Sequence, residues 1–200
     1  MNRLSMTLAA VTLGTSLSAC GKKKDGDGGG GGGDDKKGPT ITINEADWVP
    51  KNLHDVAPLI NVTMKVPKDA KMEKNGNGGV DIRVNEVYVI TVSNLAVSNV
   101  AEAIKSDKSL TVERKDKYSM TKVLSEEPTG FVYTVQMKPE ENGNTYEAES
   151  HFAYYIDKEG AIYSILDDKP MDAFSTPGST YTPAIANKVY GIVKGSAKAN

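Results

Sequence analysis

Cysteine and histidine, which most often carry metal sites and nucleophilic chemistry, are scarce in this 200-residue sequence. Cys20 is the single cysteine, so no disulfide can form within the chain. Only two histidines are present, His54 and His151, whereas a zinc site needs three or four suitably spaced ligands. No Gly-x-Ser-x-Gly segment occurs, so the nucleophile elbow of the α/β hydrolases is excluded. The sequence therefore predicts no catalytic residue and no metal.

An excess of positive charge and a long apolar run are also missing. Residues 39–200 contain 18 basic and 22 acidic residues, a net charge of −4, which argues against nucleic-acid binding because such binding depends on clustered positive charge. The apolar stretch of residues 4–17 is interrupted by serine and threonine. It is also shorter than the roughly 20 residues that cross a bilayer. Neither a nucleic-acid partner nor a transmembrane helix is expected.

What the sequence does contain begins with a secretory leader. Arg3 precedes the apolar stretch and small residues follow it, an order typical of a signal peptide. The leader ends in Leu17-Ser18-Ala19-Cys20, which resembles the lipobox of bacterial lipoproteins. The resemblance implies that residues 1–19 are removed, and that Cys20 becomes the first residue of the mature protein and carries lipid on its sulfur.

The covalent lipid on Cys20 is the expected membrane contact, and no other cofactor is predicted. Three acyl chains, the number that the resemblance implies, hold a protein stably, since each buried CH₂ contributes about 0.8 kcal/mol. Gly21 occupies the position at which an aspartate retains lipoproteins at the inner membrane of enteric bacteria. The expected location is therefore the bacterial cell envelope, lipid-anchored in the outer membrane at its periplasmic or surface face. The alternative is an ordinary leader cleaved near Ala19, with Cys20 left as a free thiol.

Residues 20–38 are predicted to form a disordered tether. From residue 21 to residue 38 the sequence has nine glycines, five lysines, four aspartates and no apolar side chain, so the segment has nothing to bury. A glycine-rich coil of this length spans about 24 Å on average. The tether would hold the domain away from the lipid headgroups.

Residues 39–200 are predicted to form a single α+β domain built on a mostly antiparallel sheet of seven or eight strands. Alternating apolar and polar residues predict a half-buried strand over residues 131–137, followed by a tight Asn-Gly hairpin turn and a strand over residues 146–156. A third strand over residues 161–166 completes a meander. Further strands are predicted over residues 60–66, 80–84, 86–92, 110–114 and 118–123.

Two helices accompany the predicted sheet. Asn99, with Glu102 three residues later, forms a capping-box pattern at the start of a short inserted helix. Thr182 and Pro183 begin a C-terminal helix that ends at Gly195, and its apolar stripe is predicted to pack on the sheet. This order of elements loosely resembles the PsbP-like α/β/α sandwich, a resemblance that implies a fold and no function.

The two histidines have both functional and structural interpretations. His151 shares a strand face with Glu147 and Glu149, an arrangement open to metal binding or proton transfer, but any solvent-exposed polar face has the same spacing. His54, next to Asp55, lies in a predicted loop. We predict a surface position for His151 and no catalysis by His54.

Four weak candidates for metal ligation lie close together: Glu73, Asn75, Asn77 and Asp81. Their oxygens fall at positions 1, 3, 5 and 9 of a calcium-type loop. Position 12, where such loops need a bidentate glutamate, is Val84. A turn between two strands is therefore the better interpretation.

Acidic pairs and tyrosines complete the candidates. Glu126-Glu127, Glu140-Glu141 and Asp167-Asp168 each flank a proline or a turn, so we predict solvated loops instead of paired acid and base groups. Tyrosines concentrate on the meander, where core packing or a binding surface would each explain them. These are Tyr133, Tyr146, Tyr154, Tyr155 and Tyr163.

Two classes of function follow from the sequence. The first is a lipid-anchored envelope protein whose tethered domain binds an envelope protein or a small ligand, or serves as an accessory domain. The second is a periplasmic or surface enzyme, a hydrolase, whose site the sequence does not reveal. Scarce histidine and the missing nucleophile motif favour the first, so an enzyme is the less expected class.

Overall fold

Two antiparallel sheets and two helices make up the part of the chain that the computed structural model describes, residues 41–141, 143, 145–168 and 180–200. The strands are β1 (Trp48–Asn52), β2 (Val62–Pro67), β3 (Lys71–Lys74), β4 (Val80–Arg83), β5 (Val89–Leu95), β6 (Tyr118–Glu127), β7 (Gly130–Met137), β8 (Glu149–Lys158), β9 (Ala161–Asp168) and β10 (Lys198–Ala199). The helices are α1 (Val100–Leu110) and α2 (Pro183–Ser196). The predicted α+β class is confirmed.

The larger sheet has seven strands in the order β3-β4-β5-β9-β8-β7-β6. Strands β6 to β9 form an antiparallel meander, and β9 then pairs with β5, which joins the meander to β3 and β4. Helix α1 lies in the connection between β5 and β6. The smaller sheet has the order β1-β2-β10. The site described below lies at the end of the pairing between β8 and β9.

Apolar clusters cover both faces of the meander. On one face, Val132 and Phe152 belong to the same cluster as Val189 of α2. On the other face, Phe131 packs with Ala103 of α1. The strand predicted over residues 131–137 is confirmed as β7, but its predicted half-burial is wrong, because helices cover both of its faces.

Both helices start at the predicted caps. The side chain of Asn99 accepts a hydrogen bond from the backbone N–H of Glu102 at 2.9 Å, and Thr182 Oγ1 accepts one from Ile185 at 3.3 Å. Helix α2 ends one residue later than predicted and packs on β8, β7 and β2. In the described part of the chain, neither helix is long and apolar enough to cross a bilayer.

The strand predicted over residues 110–114 is wrong. Helix α1 continues to the first of these residues, and turns follow it. The backbone N–H of Glu113 donates to the carbonyl oxygen of Lys108, and that of Arg114 donates to Thr111, both at 3.0 Å. These donors are occupied by local turns, so they are not available to a strand ladder.

Three strands of the fold, β1, β3 and β10, have no counterpart in the prediction. Strand β1 contains Pro50, which weakens a strand prediction. The structure tolerates this proline because β1 is at the edge of its sheet. Strand β3 is mostly charged, and β10 has only two residues. Their sequences are therefore too polar or too short to show a strand pattern.

Candidate functional site

A group of titratable side chains is buried where β8 and β9 separate. The pairing of these strands ends at Ala153 and Leu166. Beyond it, Asp167 Oδ1 accepts a hydrogen bond from the backbone N–H of Phe152 at 2.8 Å, so a carboxylate takes the place of a backbone carbonyl. We call the residues around this carboxylate the His151 cluster. They are Tyr88, Tyr133, Glu149, His151, Asp167 and Tyr181.

His151 is mostly buried, so its predicted surface position is wrong. Only 12% of its side chain is exposed, and its Nδ1 lies 3.4 Å from Asp167 Oδ1. Its Nε2 lies 3.8 Å from Glu149 Oε2. The imidazole ring contacts the rings of Tyr133 and Tyr181, at centroid distances of 5.7 and 4.9 Å. Tyr133 stands directly opposite His151 on β7, so the two tyrosines cover a strand face that the sequence pattern presents as polar.

Electrostatics decide the protonation state of His151. Burial by itself lowers the pKa of an imidazole, because the charged form loses its water. Here the attraction and hydrogen bonding of Asp167, with a smaller contribution from Glu149, outweigh burial and raise the pKa of His151 to about 9. The ring is therefore protonated at neutral pH, and Asp167 is its counter-ion.

Two buried phenols lie beside the ion pair, and one of them donates to Asp167. The hydroxyl of Tyr88 donates to Asp167 Oδ2 at 3.1 Å, and burial together with this carboxylate raises the pKa of Tyr88 well above its usual range. The hydroxyl of Tyr181 lies 2.7 Å from the carbonyl oxygens of both Val87 and Asp168, and burial raises its pKa as well. Both phenols are therefore neutral donors across the accessible pH range.

The loop predicted for the Asp167-Asp168 pair is wrong, because both residues belong to β9, and only the second is solvated. Asp167 is only 7% exposed, whereas Asp168 is exposed, because neighbouring residues of a strand point to opposite sides. The sequence does contain a signal for this burial. Tyr163 and Ile165, which share the strand face of Asp167, are both buried.

The arrangement can hold a proton at His151 and donate it. Asp167 orients the ring through Nδ1, and Glu149 is the nearest carboxylate to Nε2. A histidine that is protonated at neutral pH is suited to act as a general acid and poorly suited to act as a general base. His151 and Asp167 also form a buried ion pair with a structural role. The imidazole ring packs against Tyr181, just before the cap of α2, and so holds this residue against the first residues of β8.

The four weak metal candidates lie at the turn between β3 and β4. Asn75 Oδ1 accepts from the backbone N–H of Asn77 at 3.1 Å, and Asn75 Nδ2 donates to Asp81 Oδ1 at 2.9 Å. Glu73 lies on β3, where its carboxylate is 3.3 Å from Lys71 Nζ. The amide of Asn75 thus closes the turn between two strands. Within the described ranges, no three His, Cys, Asp or Glu side chains are grouped so as to hold a metal ion.

The remaining candidates are dispersed. His54 is exposed in the short 3₁₀ turn Leu53–Asp55. Cys20 and the predicted tether lie outside the described residues.

Core packing accounts for most of the tyrosines on the meander. Tyr155 and Tyr163 are buried, and Tyr154 meets Tyr190 of α2 edge to face at a centroid distance of 6.0 Å. The hydroxyl of Tyr146 donates to Glu140.

Comparisons with known proteins identify no family for this chain. No protein-family model matches the sequence, and no curated protein matches it significantly. Among solved structures, the chain is similar to the Ran-binding protein Mog1p of Saccharomyces cerevisiae, with 13% sequence identity and a TM-score of 0.46. The similarity covers 76% of this chain and 95% of that chain. No function is inferred from a likeness at this level.

Proposed function

We propose that this protein is a lipoprotein of the bacterial cell envelope, anchored in the outer membrane by lipid on Cys20, that displays its α+β domain as a binding or accessory module. The observation that carries the proposal is Leu17-Ser18-Ala19-Cys20 at the end of the leader. Because Cys20 is the only cysteine, an intramolecular disulfide cannot be its role, and acylation supplies one.

The position of the folded domain supports this proposal. Ile41 and Ile43 belong to the main apolar cluster, so the domain begins within a few residues of the predicted end of the tether at residue 38. The glycine-rich stretch would let the domain move about 24 Å from the anchor. A partner or ligand in the envelope is therefore within reach of the domain.

The anchor is tested by acylation and fractionation. In cells grown with labelled palmitate, we expect the wild-type protein to incorporate label and to sediment with membranes, and Cys20→Ala to do neither. Ser16→Ala, which changes the leader outside the lipobox, is the matched control and should behave as wild type. Membrane association of unlabelled Cys20→Ala would contradict the proposal. In an enteric host, Gly21→Asp should move the protein to the inner membrane.

A second candidate function is an enzyme, and one observation favours it. His151 has Asp167 at 3.4 Å and Glu149 at 3.8 Å, so an oriented, protonated imidazole is available as a general acid. Hydrolysis of ester, glycoside or phosphate substrates that is abolished by His151→Gln, in protein that still folds, would favour this candidate over a binding module.

A further inference from the structure

A groove of about 600 Å³ lies between α1 and the turn that joins β6 to β7. One wall is a stripe of α1 that contains Ala101, Ile104 and Lys105, residues that share a helix face at i, i+3 and i+4 spacing. The other wall is Pro128 with the glutamates that end β6. Most of the lining is apolar, and the volume lies within the roughly 300–1,000 Å³ typical of small-molecule sites. We call this feature the α1 groove.

The charges around the α1 groove are largely compensated, with one exception on the helix. Lys108 Nζ lies 2.5 Å from Glu126 Oε2, and Glu127 forms an ion pair with Lys194 of α2. Lys105 is exposed and forms no ion pair with any residue that the structure describes. The groove therefore presents one uncompensated cation from its helical wall, next to an apolar surface.

Glu113, the other charged residue of the groove whose ion pairing has not been described, lies farther along the groove than Lys105. Its backbone N–H donates to the carbonyl oxygen of Lys108 at 3.0 Å, which places Glu113 beyond the last turn of α1. Lys105 lies within the helix, one turn before Lys108. An anionic group in the groove is thus attracted toward Lys105 and repelled from the C-terminal end of the helix, where the helix dipole is also negative.

We propose that the α1 groove binds a small amphipathic carboxylate. Its apolar chain would lie on Ala101, Ile104 and Pro128, and its carboxylate would meet the ammonium group of Lys105. This ligand class specifies the binding role proposed above and rests on it. Lys105 would orient the ligand by binding its carboxylate. The apolar residues of the groove would supply most of the contact area, as in other ligand sites with few polar groups.

The proposal is tested with decanoate as the probe, by isothermal titration calorimetry on the full chain carrying Cys20→Ala, which has no lipid to compete for the probe. In this background we expect saturable binding of decanoate. Lys105→Glu should bind it about tenfold more weakly, because one attraction becomes a repulsion. Lys122→Glu, the matched control, makes the same charge change at an exposed position of β6 outside the groove and should bind as the background protein does.

Two further arms separate the apolar from the charged contribution. Ala101→Phe places a ring in the groove at an exposed helix position and should weaken binding without unfolding the protein. Decyltrimethylammonium, which has the same chain length and the opposite charge, should bind less tightly than decanoate. Equal affinities of Lys105→Glu and Lys122→Glu, equal affinities for the two probes, or no saturable binding would each overturn the proposal. None of these results bears on acylation of Cys20, which the fractionation experiment decides.

Discussion

We expect the stability of the domain to fall as the pH is raised from neutral to about 10, with His151 responsible for the fall. Folding raises the pKa of this histidine from 6.5 to about 9. A group whose pKa is raised by folding contributes stability that is fully present below the unfolded pKa and is lost as the pH passes through the folded pKa. The contribution of His151 is therefore complete below about pH 6.5 and gone above about pH 9.

The size of the effect follows from the same two pKa values. Their difference corresponds to about 3 kcal/mol in the free energy of unfolding. Solvent reduces this value little, because only 12% of the histidine side chain is exposed and the side chain of Asp167 is fully buried. When His151 loses its proton, Asp167 keeps its hydrogen bonds from Phe152 and Tyr88 but loses its buried counter-ion.

The assay is urea unfolding at a series of pH values between about 6 and 10, followed by the fluorescence of Trp48, the only tryptophan, which is buried. The free energy of unfolding of the wild type would be compared with that of His151→Gln, which keeps a polar side chain and cannot be charged. The wild-type advantage over His151→Gln should shrink by about 3 kcal/mol across this range. His54→Gln, at an exposed histidine, should follow the wild type throughout. An advantage that stays constant with pH would refute the reasoning.

Two local features give further predictions, measured by the same urea unfolding. A Cβ at Gly130 would lie 2.4 Å from the carbonyl oxygen of Ala153, so Gly130→Ala should destabilise the domain by about 2 kcal/mol. Gly191→Ala, on the exposed face of α2 with nothing within 4 Å, should instead stabilise it by about 0.5 kcal/mol, and equal unfolding midpoints for the two variants would refute both. Asn99→Ala should cost about 1 kcal/mol by removing the cap of α1, and an unchanged midpoint would show that the cap contributes nothing.

Local chemistry made part of the fold predictable from the sequence. The starts of both helices were correct, because Asn99 and Thr182 satisfy the first backbone N–H groups within three residues of themselves. The order of the meander was correct because its strands alternate and because two-residue turns join β6 to β7 and β8 to β9. In both cases the information lies within a few neighbouring residues. The tight hairpin predicted between β7 and β8 was wrong, since β7 ends at Met137 and β8 begins only at Glu149.

Burial on the second face of the sheet was not predictable in this way. The polar side chain of Thr134 predicts a solvent-facing position, yet Thr134 is buried. Its hydroxyl can be buried because it forms a hydrogen bond of 2.8 Å with the hydroxyl of Ser150 on the next strand. A polar residue is expected inside a protein only when its partner is known. That partner is 16 residues away and is set by the register of β7 against β8.

The composition of the His151 cluster was not predictable either, because its residues are even more widely separated in the sequence. Its members come from β7, β8, β9, the residues before β5 and the residues before α2. Sequence spacing grouped His151 with Glu147 and Glu149, and Glu149 does lie 3.8 Å from Nε2. The closer counter-ion, Asp167 near the end of β9, was not part of that grouping. The burial of Asp167 could have been inferred from its apolar neighbours on the strand, but its pairing with His151 required the fold.

The pairing of β10 with β2 makes folding of the smaller sheet a late event. Asn61, next to β2, hydrogen-bonds with Asn200, 139 residues away in the sequence. Among the strands that the structure describes, the two-residue β10 is the only partner of β2 besides β1. Contacts between such distant residues are slow to form, since a long loop must close before they contribute. While the domain folds, β2 therefore keeps one hydrogen-bonding edge open until residues 198–199 pair with it. A chaperone that shields exposed strand edges would have its longest opportunity to bind there.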